Sequence, residues 1–305
     1  MDALVLVKEI NDTNVWIEID PVRLQPDPKD LVFEANPSDL AALGVAVNLI
    51  RSQGNGSVTA LLLGPRRSGK TLRRCLDYGA DRAVHLLCEQ IEDVESHQVA
   101  SILFQSVKRL ELPHDLIFAG HQGSDCGWAN GCIGIQVAAM MGLPHLSKVT
   151  GVKWGTKSNA LIVSCMEDFV TRSAWRCRPP LALIMHPEIC SQEYPSLEVS
   201  LEALNTHVEE VDLMFLGLEP SRIKRRIRHL GTSCPKPRPR KVFTPDSSLS
   251  AAERIRSIMS GGLKQKRSEF LEGSPEELAA KILDFLIEKK LLSLEDAEAE
   301  MKQKD

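Results

Sequence analysis

Eight consecutive residues carry the sharpest chemical pattern in the chain. Gly64-Pro65-Arg66-Arg67-Ser68-Gly69-Lys70-Thr71 satisfies the phosphate-loop spacing G-x-x-x-x-G-K-[ST]. In such a loop the backbone amides cradle phosphates, the lysine reaches the β- and γ-phosphate oxygens, and the threonine holds magnesium. Taken at face value, the pattern makes the chain a P-loop nucleotide hydrolase. Two features weigh against that: no apolar strand ends in an aspartate placed to hold the metal, and Arg66 and Arg67 crowd cations around a magnesium phosphate. The preferred reading is a strand-to-helix turn whose Gly64 and Pro65 set the backbone and whose basic residues are solvated. The hydrolase stands second.

A longer segment, residues 120–134, could hold a nucleotide by different means. It reads Gly120-His121-Gln122-Gly123-Ser124-Asp125-Cys126-Gly127-Trp128-Ala129-Asn130-Gly131-Cys132-Ile133-Gly134, with five glycines between a strand and a helix start. Glycines let backbone amides come close to a phosphate, and a helix N-terminus stabilises its charge. This loop is the first choice for a nucleotide site, through Gln122, Gly123, Ser124, Asp125, Asn130, Gly131, Cys132, Ile133 and Gly134. His121 could touch a phosphate or a flavin, and Trp128 could stack on adenine or simply pack. Cys126 and Cys132 are more readily small buried hydrophobes than a redox pair. The other histidines show no ligand spacing with one another or with cysteine, so no metal site is expected.

These residues need a scaffold that brings them together. Ala3–Val7, residues 58–63, 83–87 and 116–119 are short apolar runs, and amphipathic stretches separate them. That alternation predicts parallel strands joined by helices on both faces of one sheet, with ligands outside the carboxyl ends of the strands. The first strand would end at Leu6, Val7 and Lys8, and the next at Leu63 and Gly64. Asn36-Pro37 reads as a helix start, so Asn36, Ser38 and Asp39 would present free amides at the same edge. Further helices are expected over residues 70–78, 98–110 and from about 131 to the Gly142-Leu143-Pro144 stop.

After Lys148 the pattern changes. Residues 149–154, 160–166 and 170–177 predict an antiparallel extension of the sheet, followed by a strand at Leu181–Met185. From Pro220 the composition shifts, with nine Lys or Arg residues between Arg222 and Lys241 and repeated prolines from Cys234. The predicted organisation is an α/β nucleotide-binding domain over residues 1–219, a basic proline-rich linker over 220–249, and a C-terminal helical arm over 250–305. Ser274-Pro275-Glu276-Glu277 starts the last helix, whose apolar face needs a covering surface in its own domain or a partner chain. The basic stretch lacks interleaved aromatics within a chain of net charge −4, which argues against nucleic acid and for docking on a partner. No apolar run reaches about 18 residues, so no membrane span is expected, and scattered cysteines without CxxC pairs fit the cytoplasm.

Several segments, in order, resemble the beta subunit of electron transfer flavoproteins. They are Val5-Leu6-Val7-Lys8-Glu9 with Asp12-Thr13, Asn36-Pro37-Ser38-Asp39, Gly64-Pro65 with Thr71-Leu72-Arg73, and Gly79-Ala80-Asp81-Arg82. Asp115 to Gly120, Gly123-Ser124-Asp125 and Gly142-Leu143-Pro144 follow. The resemblance implies a Rossmann-like beta subunit paired with an alpha subunit that holds most of an electron-transferring FAD. It implies electron shuttling between an acyl-CoA-type dehydrogenase, or a similar flavoenzyme, and another redox partner. In ordinary members the beta-subunit pocket buries AMP and the protein is a carrier; in electron-bifurcating members the pocket holds a second FAD that takes hydride from NADH. Gly123-Ser124-Asp125 and Trp128-Ala129-Asn130 resemble the Fix-type members of the bifurcating group, which favours FAD while AMP stays open.

Two departures from the family accompany this. Glu167-Asp168-Phe169-Val170 stands near the place of the family's Asp-Gly-Gly-Glu signature. The family's partner-recognition loop is resembled by Glu193-Tyr194-Pro195-Ser196-Leu197, which makes Leu197 the candidate anchor in a dehydrogenase. Its usual lysines are replaced by Glu198, Glu202, Glu209 and Glu210, which would favour a differently charged partner. The alternative is a solvated helix face with Leu197, Leu201 and Leu204 packed inward.

Overall fold

A computed structural model describes residues 1–20, 22, 24–91, 94–123, 132–155, 160–168, 170–189, 195–218, 220–223, 226, 230–231, 233, 245–246, 248–259 and 273–289. The chain divides into two compact units, Met1–Cys234 and Pro235–Asp305.

The first unit is an α/β fold built on a nine-stranded sheet. Four of its strands are buried at every position: β1 (Ala3–Val7), β4 (Val58–Gly64), β6 (Leu116–Gly120) and β10 (Leu181–Met185). Continuous burial is what parallel strands covered on both faces require, and it explains why these runs show no polar alternation. With β5 (Arg82–Leu87), β7 (His145–Trp154) and β11 (Val208–Asp212), they form a parallel array in the order β11-β5-β4-β1-β6-β10-β7. The chain then adds β8 (Leu161–Met166) and β9 (Arg172–Cys177) antiparallel beyond β7. In β8 only Leu161, Val163 and Cys165 are buried. This one-sided alternation marks the expected antiparallel extension. A separate ribbon pairs β2 (Glu9–Asn11) with β3 (Phe33–Ala35).

Two apolar clusters hold the helices to the sheet. On one face, α1 (Pro37–Arg51) and α2 (Gly69–Asp77) cover Ala3, Val5, Ala60, Leu62 and Phe118. On the other, α3 (Ser96–Arg109) and α4 (Cys132–Met141) cover Leu4, Leu61, Val84, Ile117 and Ile184. Strand alternation produces this division, since neighbouring residues of one strand point to opposite faces. The chain leaves β1 through α1 toward β4 on one side, and returns from β5 through α3 to β6 on the other side of β1. The switch of direction therefore falls between β1 and β6, where an open sheet leaves a crevice.

α5 (Leu197–Asn205) precedes the edge strand β11. Its N-cap Ser196 accepts a hydrogen bond from the Val199 amide. Glu209 lies on β11 and forms two 2.6 Å bonds with Arg82, while Glu210 pairs with Arg66 at 2.9 Å. These two glutamates are thus engaged with the neighbouring strand and turn, and Glu198 and Glu202 alone of the four acids lie on the helix. At the β8–β9 turn, Asp168 accepts the amides of Val170 (2.8 Å) and Thr171 (2.6 Å), which hold its carboxyl below the usual range. This Asx turn occupies the place of the missing family signature; Phe169 lies outside the described residues.

Within the second unit, α6 (Ala251–Met259) and α7 (Pro275–Glu288) have no buried residue. α7 begins with the capping box that its sequence predicts: the Glu277 amide donates to Ser274 Oγ at 3.4 Å and the Ser274 amide to Glu277 Oε2 at 3.1 Å. Ile282, Leu283 and Phe285 are exposed. No helix among the described residues is long and apolar enough to cross a membrane.

Candidate functional site

The carboxyl ends of β1, β4 and β6 open into a cavity of about 360 Å³. Leu6, Val7 and Lys8 enter its wall from β1, Leu63 and Gly64 from β4, and Gly120 and Gln122 from the end of β6. Asn36 and Asp39 come from the start of α1, and Ile133 and Gly134 from the first turn of α4. Ser38, Gly123 and Cys132 are not wall residues. Ser124, Asp125, Asn130 and Gly131, with Cys126 and Trp128, lie outside the described residues.

Asp39 sets the geometry. Its carboxylate is buried, accepts the Lys8 amide at 2.9 Å and the Gly120 amide at 2.8 Å, and so ties together the ends of β1 and β6. Burial pushes its pKa up to about 6; hydrogen bonds from the Asn36 side chain and from the amides of Gly120 and Lys8, and the Lys8 charge, limit the rise. The two strand ends are thereby fixed on either side of the crevice. A Cβ on Gly120 would run into Asp39 Oδ1 and stand 2.6 Å from Ser38 Cβ, so only glycine lets α1 approach this closely. Gly134 does the same for α4: a Cβ there would stand 2.7 Å from Ala119 Cβ and Ile184 Cδ1.

Asn36 occupies the N-cap position of α1 without capping it. Its Nδ2 donates instead to the Gln122 carbonyl at 3.1 Å, joining the helix start to the chain that leaves β6. Its Oδ1 is buried without a hydrogen-bond partner among the described residues, as are Asn11 Oδ1 and Ser68 Oγ. All three residues line the cavity. Buried polar atoms normally have partners, so these three mark where a ligand's hydroxyls or amino group would bond. Lys8 and Arg67 add cations to the wall, and Leu6, Leu63, Val99 and Leu103 supply apolar surface for a flat ring. Ribose hydroxyls, a phosphate and a heteroaromatic ring satisfy this set together, and the cavity is of small-molecule size.

Pro65, Arg67 and Ser68 of the wall belong to the phosphate-loop motif, while other parts of it were not singled out by the sequence. Ser96, Val99 and Leu103 recur at i, i+3 and i+7 on α3, a spacing indistinguishable from a core-facing stripe. Glu9, Asn11 and Phe33 come from a ribbon whose strands have three residues each, too short for periodicity to reveal.

The phosphate-loop motif folds differently from a phosphate cradle. After Gly64 the chain turns through a 3-10 helix, Arg66–Ser68. The Ser68 amide donates to Pro65 O at 2.9 Å, and the Gly69 amide to the carbonyls of Arg66 and Arg67, so both are already spent within the turn. Arg67 lies 3.8 Å over the Phe33 ring and donates from Nε to Glu9 Oε2 at 3.1 Å. Thr71, the residue that would hold magnesium, donates its hydroxyl to Glu9 Oε1 at 3.2 Å. Arg66 and Arg67 are solvated as expected, with side chains 68% and 42% exposed, and each also forms an ion pair.

His121 is not a wall residue of the cavity. Its ring stacks with His186, with centroids 6.2 Å apart. Leu197 is 77% exposed, and Leu201 and Leu204 are 52% and 66% exposed. The alternative in which these three leucines pack inward is thus excluded; Glu193 and Tyr194 lie outside the described residues.

Comparison with known proteins gives the site its context. The family model described as electron transfer flavoprotein domain matches residues 29–211. The electron transfer flavoprotein subunit beta of Methylophilus methylotrophus is 26% identical over 289 residues, spanning 94% of this chain and 98% of that protein. A subunit named CarD, of a caffeyl-CoA reductase-Etf complex of Acetobacterium woodii, is 30% identical over 55% of this chain and 62% of its own length. Protein FixA of Bradyrhizobium diazoefficiens is 30% identical over 50% of this chain and 53% of its own. With the family's domain matched across most of the sheet, and full-length similarity to a beta subunit, the chain belongs to the electron transfer flavoprotein family as a beta subunit.

Proposed function

We propose that this beta subunit holds an adenine nucleotide in the cavity between β1 and β6 and, paired with an FAD-bearing alpha subunit, relays electrons between flavoenzymes. The carrying observation is the set of buried unpartnered oxygens, Asn11 Oδ1, Asn36 Oδ1 and Ser68 Oγ, that line one crevice at the switch point of the sheet. Asn36, Asn11 and Ser68 would bond the sugar and base, Lys8 would meet phosphate, and Leu63, Val99 and Leu103 would exclude water from the ring. Gln122, Ile133 and Gly134 close the opposite wall. Residues 123–125 and 130–132 also contribute to nucleotide binding in our reading, as does Ser38, which packs against Gly120. A flavin, when bound, supplies one- or two-electron transfer; the residues of this chain bind it and orient it.

We take the cavity ligand to be a second FAD, so that the pair oxidises NADH and bifurcates electrons. The Fix-type loop residues and the similarity to FixA and CarD support this. The name of the complex that contains CarD supports a reductase or dehydrogenase of CoA esters as partner. In this scheme residues 1–219 form the nucleotide-binding domain, the basic 220–249 segment is a linker, and the 250–305 arm docks on the alpha subunit through the exposed face of α7. Leu197 serves as an anchor in the dehydrogenase. The cytoplasm suits the free thiols of Cys75, Cys88, Cys132, Cys165 and Cys177.

The test is to purify the heterodimer, denature it and quantify the released nucleotides. Two FAD per heterodimer supports the bifurcating reading. One FAD and one AMP supports the non-bifurcating carrier, and a single FAD with no second nucleotide refutes the cavity assignment.

A further inference from the structure

Just beyond the cavity, the carboxyl ends of β6 and β10 and the adjoining part of β7 gather a group of bases. His121 follows β6, lies between the wall residues Gly120 and Gln122, and donates its amide to Met185 O at 2.8 Å. His186 follows β10 and donates its amide to Val149 O at 2.8 Å. The two rings are stacked with 25° between their planes. Lys148 approaches from β7, at the point where the register between β10 and β7 slips. Its φ is +53°, a left-handed conformation that costs a lysine roughly 1–2 kcal/mol. Such a bulge re-aims a side chain relative to a regular strand.

The ring of His121 is incomplete in its bonding: Nδ1 is buried and has no partner among the described residues. Its titration is held below the usual histidine range by burial first, then by His186 and Lys148. Of the elements packed around it, α4 carries no charged residue. From α1 the nearest acid is Asp39, whose oxygens accept the amides of Lys8 and Gly120. The Glu188 side chain, in the turn after His186, lies outside the described residues.

A metal ion and an anion are the charged ligands that could complete an unpartnered imidazole nitrogen. Among the described residues no group of three His, Cys, Asp or Glu side chains could hold a metal, and the Lys148 charge opposes a cation. An oxyanion suits both facts: it accepts hydrogen bonds from imidazolium and ammonium and is attracted by their charge. We propose that His121, His186 and Lys148 form a binding site for a tetrahedral oxyanion of the phosphoryl type, at the ends of β6 and β10 and beside them on β7, outside the cavity wall. Free phosphate and the phosphate of a nucleotide seated next door share this chemistry.

Binding of the anion favours protonated histidine, so the site takes up a proton when it fills. Inorganic sulfate is the probe, because its charge does not change across the histidine range. The heterodimer is labelled at histidine ring carbons and titrated by NMR with sulfate or with chloride at equal ionic strength. Sulfate raises the His121 titration midpoint, and its affinity falls up to about tenfold per pH unit above that midpoint. His121→Asn and Lys148→Asn each abolish the response; asparagine tolerates the left-handed backbone at 148. Competition between sulfate and AMP assigns the anion to the nucleotide, whereas simultaneous binding assigns it to a separate phosphate, and either result keeps the proposal. A midpoint that moves equally in chloride overturns it, as does sulfate binding unchanged in both variants.

Discussion

Asp39 is a fully buried carboxylate whose two oxygens meet only amides and an asparagine, and its pKa of about 6 against an ordinary 3.8 makes stability depend on pH in a defined direction. The folded chain keeps the proton where the unfolded chain has lost it. Stabilisation from this group is therefore complete below pH 3.8 and is lost as pH rises through 6. A shift of about 2 units at 1.36 kcal/mol each amounts to about 3 kcal/mol, of which about 2 kcal/mol falls between roughly pH 4.5 and 7. Asp39→Asn removes the titration. It also turns an amide nitrogen toward the Lys8 or the Gly120 N–H, donor against donor, at a cost of about 1–3 kcal/mol. Near neutrality this loss roughly offsets the relief of the buried charge, so the slope with pH, not the offset, is the readout. Urea unfolding of wild type and variant in the same assembly state, at four pH values across the window, should show the wild type losing about 2 kcal/mol more than the variant. Parallel curves would refute the buried, proton-holding clamp.

Gly134→Val places carbon against Ala119 Cβ and Ile184 Cδ1 where no space exists, and should cost about 1–3 kcal/mol by overpacking; thermal unfolding and nucleotide content should fall together. Lys70 is exposed, and Lys70→Ala should leave the nucleotide content at the wild-type level. Loss of bound nucleotide in that variant would revive the P-loop reading.

The central strands were legible because burial on both faces leaves unbroken apolar runs, as in Val58–Gly64 and Leu181–Met185. β11 was not, because Val208-Glu209-Glu210-Val211-Asp212 carries three acids. Two of them are neutralised by Arg82 and Arg66 of distant segments, and no local pattern announces that. In the cavity, residues at strand ends and helix starts could be anticipated from topology alone: Lys8, Asn36, Asp39, Gly64 and Gly134 converge as that rule requires. The α3 face and Phe33 could not, since their role depends on which side of the sheet the helix and ribbon fall. Asn36 shows the limit of local reading. Its sequence position marks a helix cap, while its amide is spent on Gln122 across the crevice.

The central claim, that a nucleotide occupies the cavity between β1 and β6, is tested most directly at Val99. This residue faces the cavity from α3, so Val99→Trp fills the space while leaving the sheet and the clamp of Asp39 untouched. The nucleotide released from the denatured heterodimer is measured for wild type and variant, with circular dichroism as the control for folding. A folded variant that keeps the alpha subunit's FAD and loses the second nucleotide is the predicted result. A folded variant that retains both nucleotides at the wild-type ratio would contradict the account.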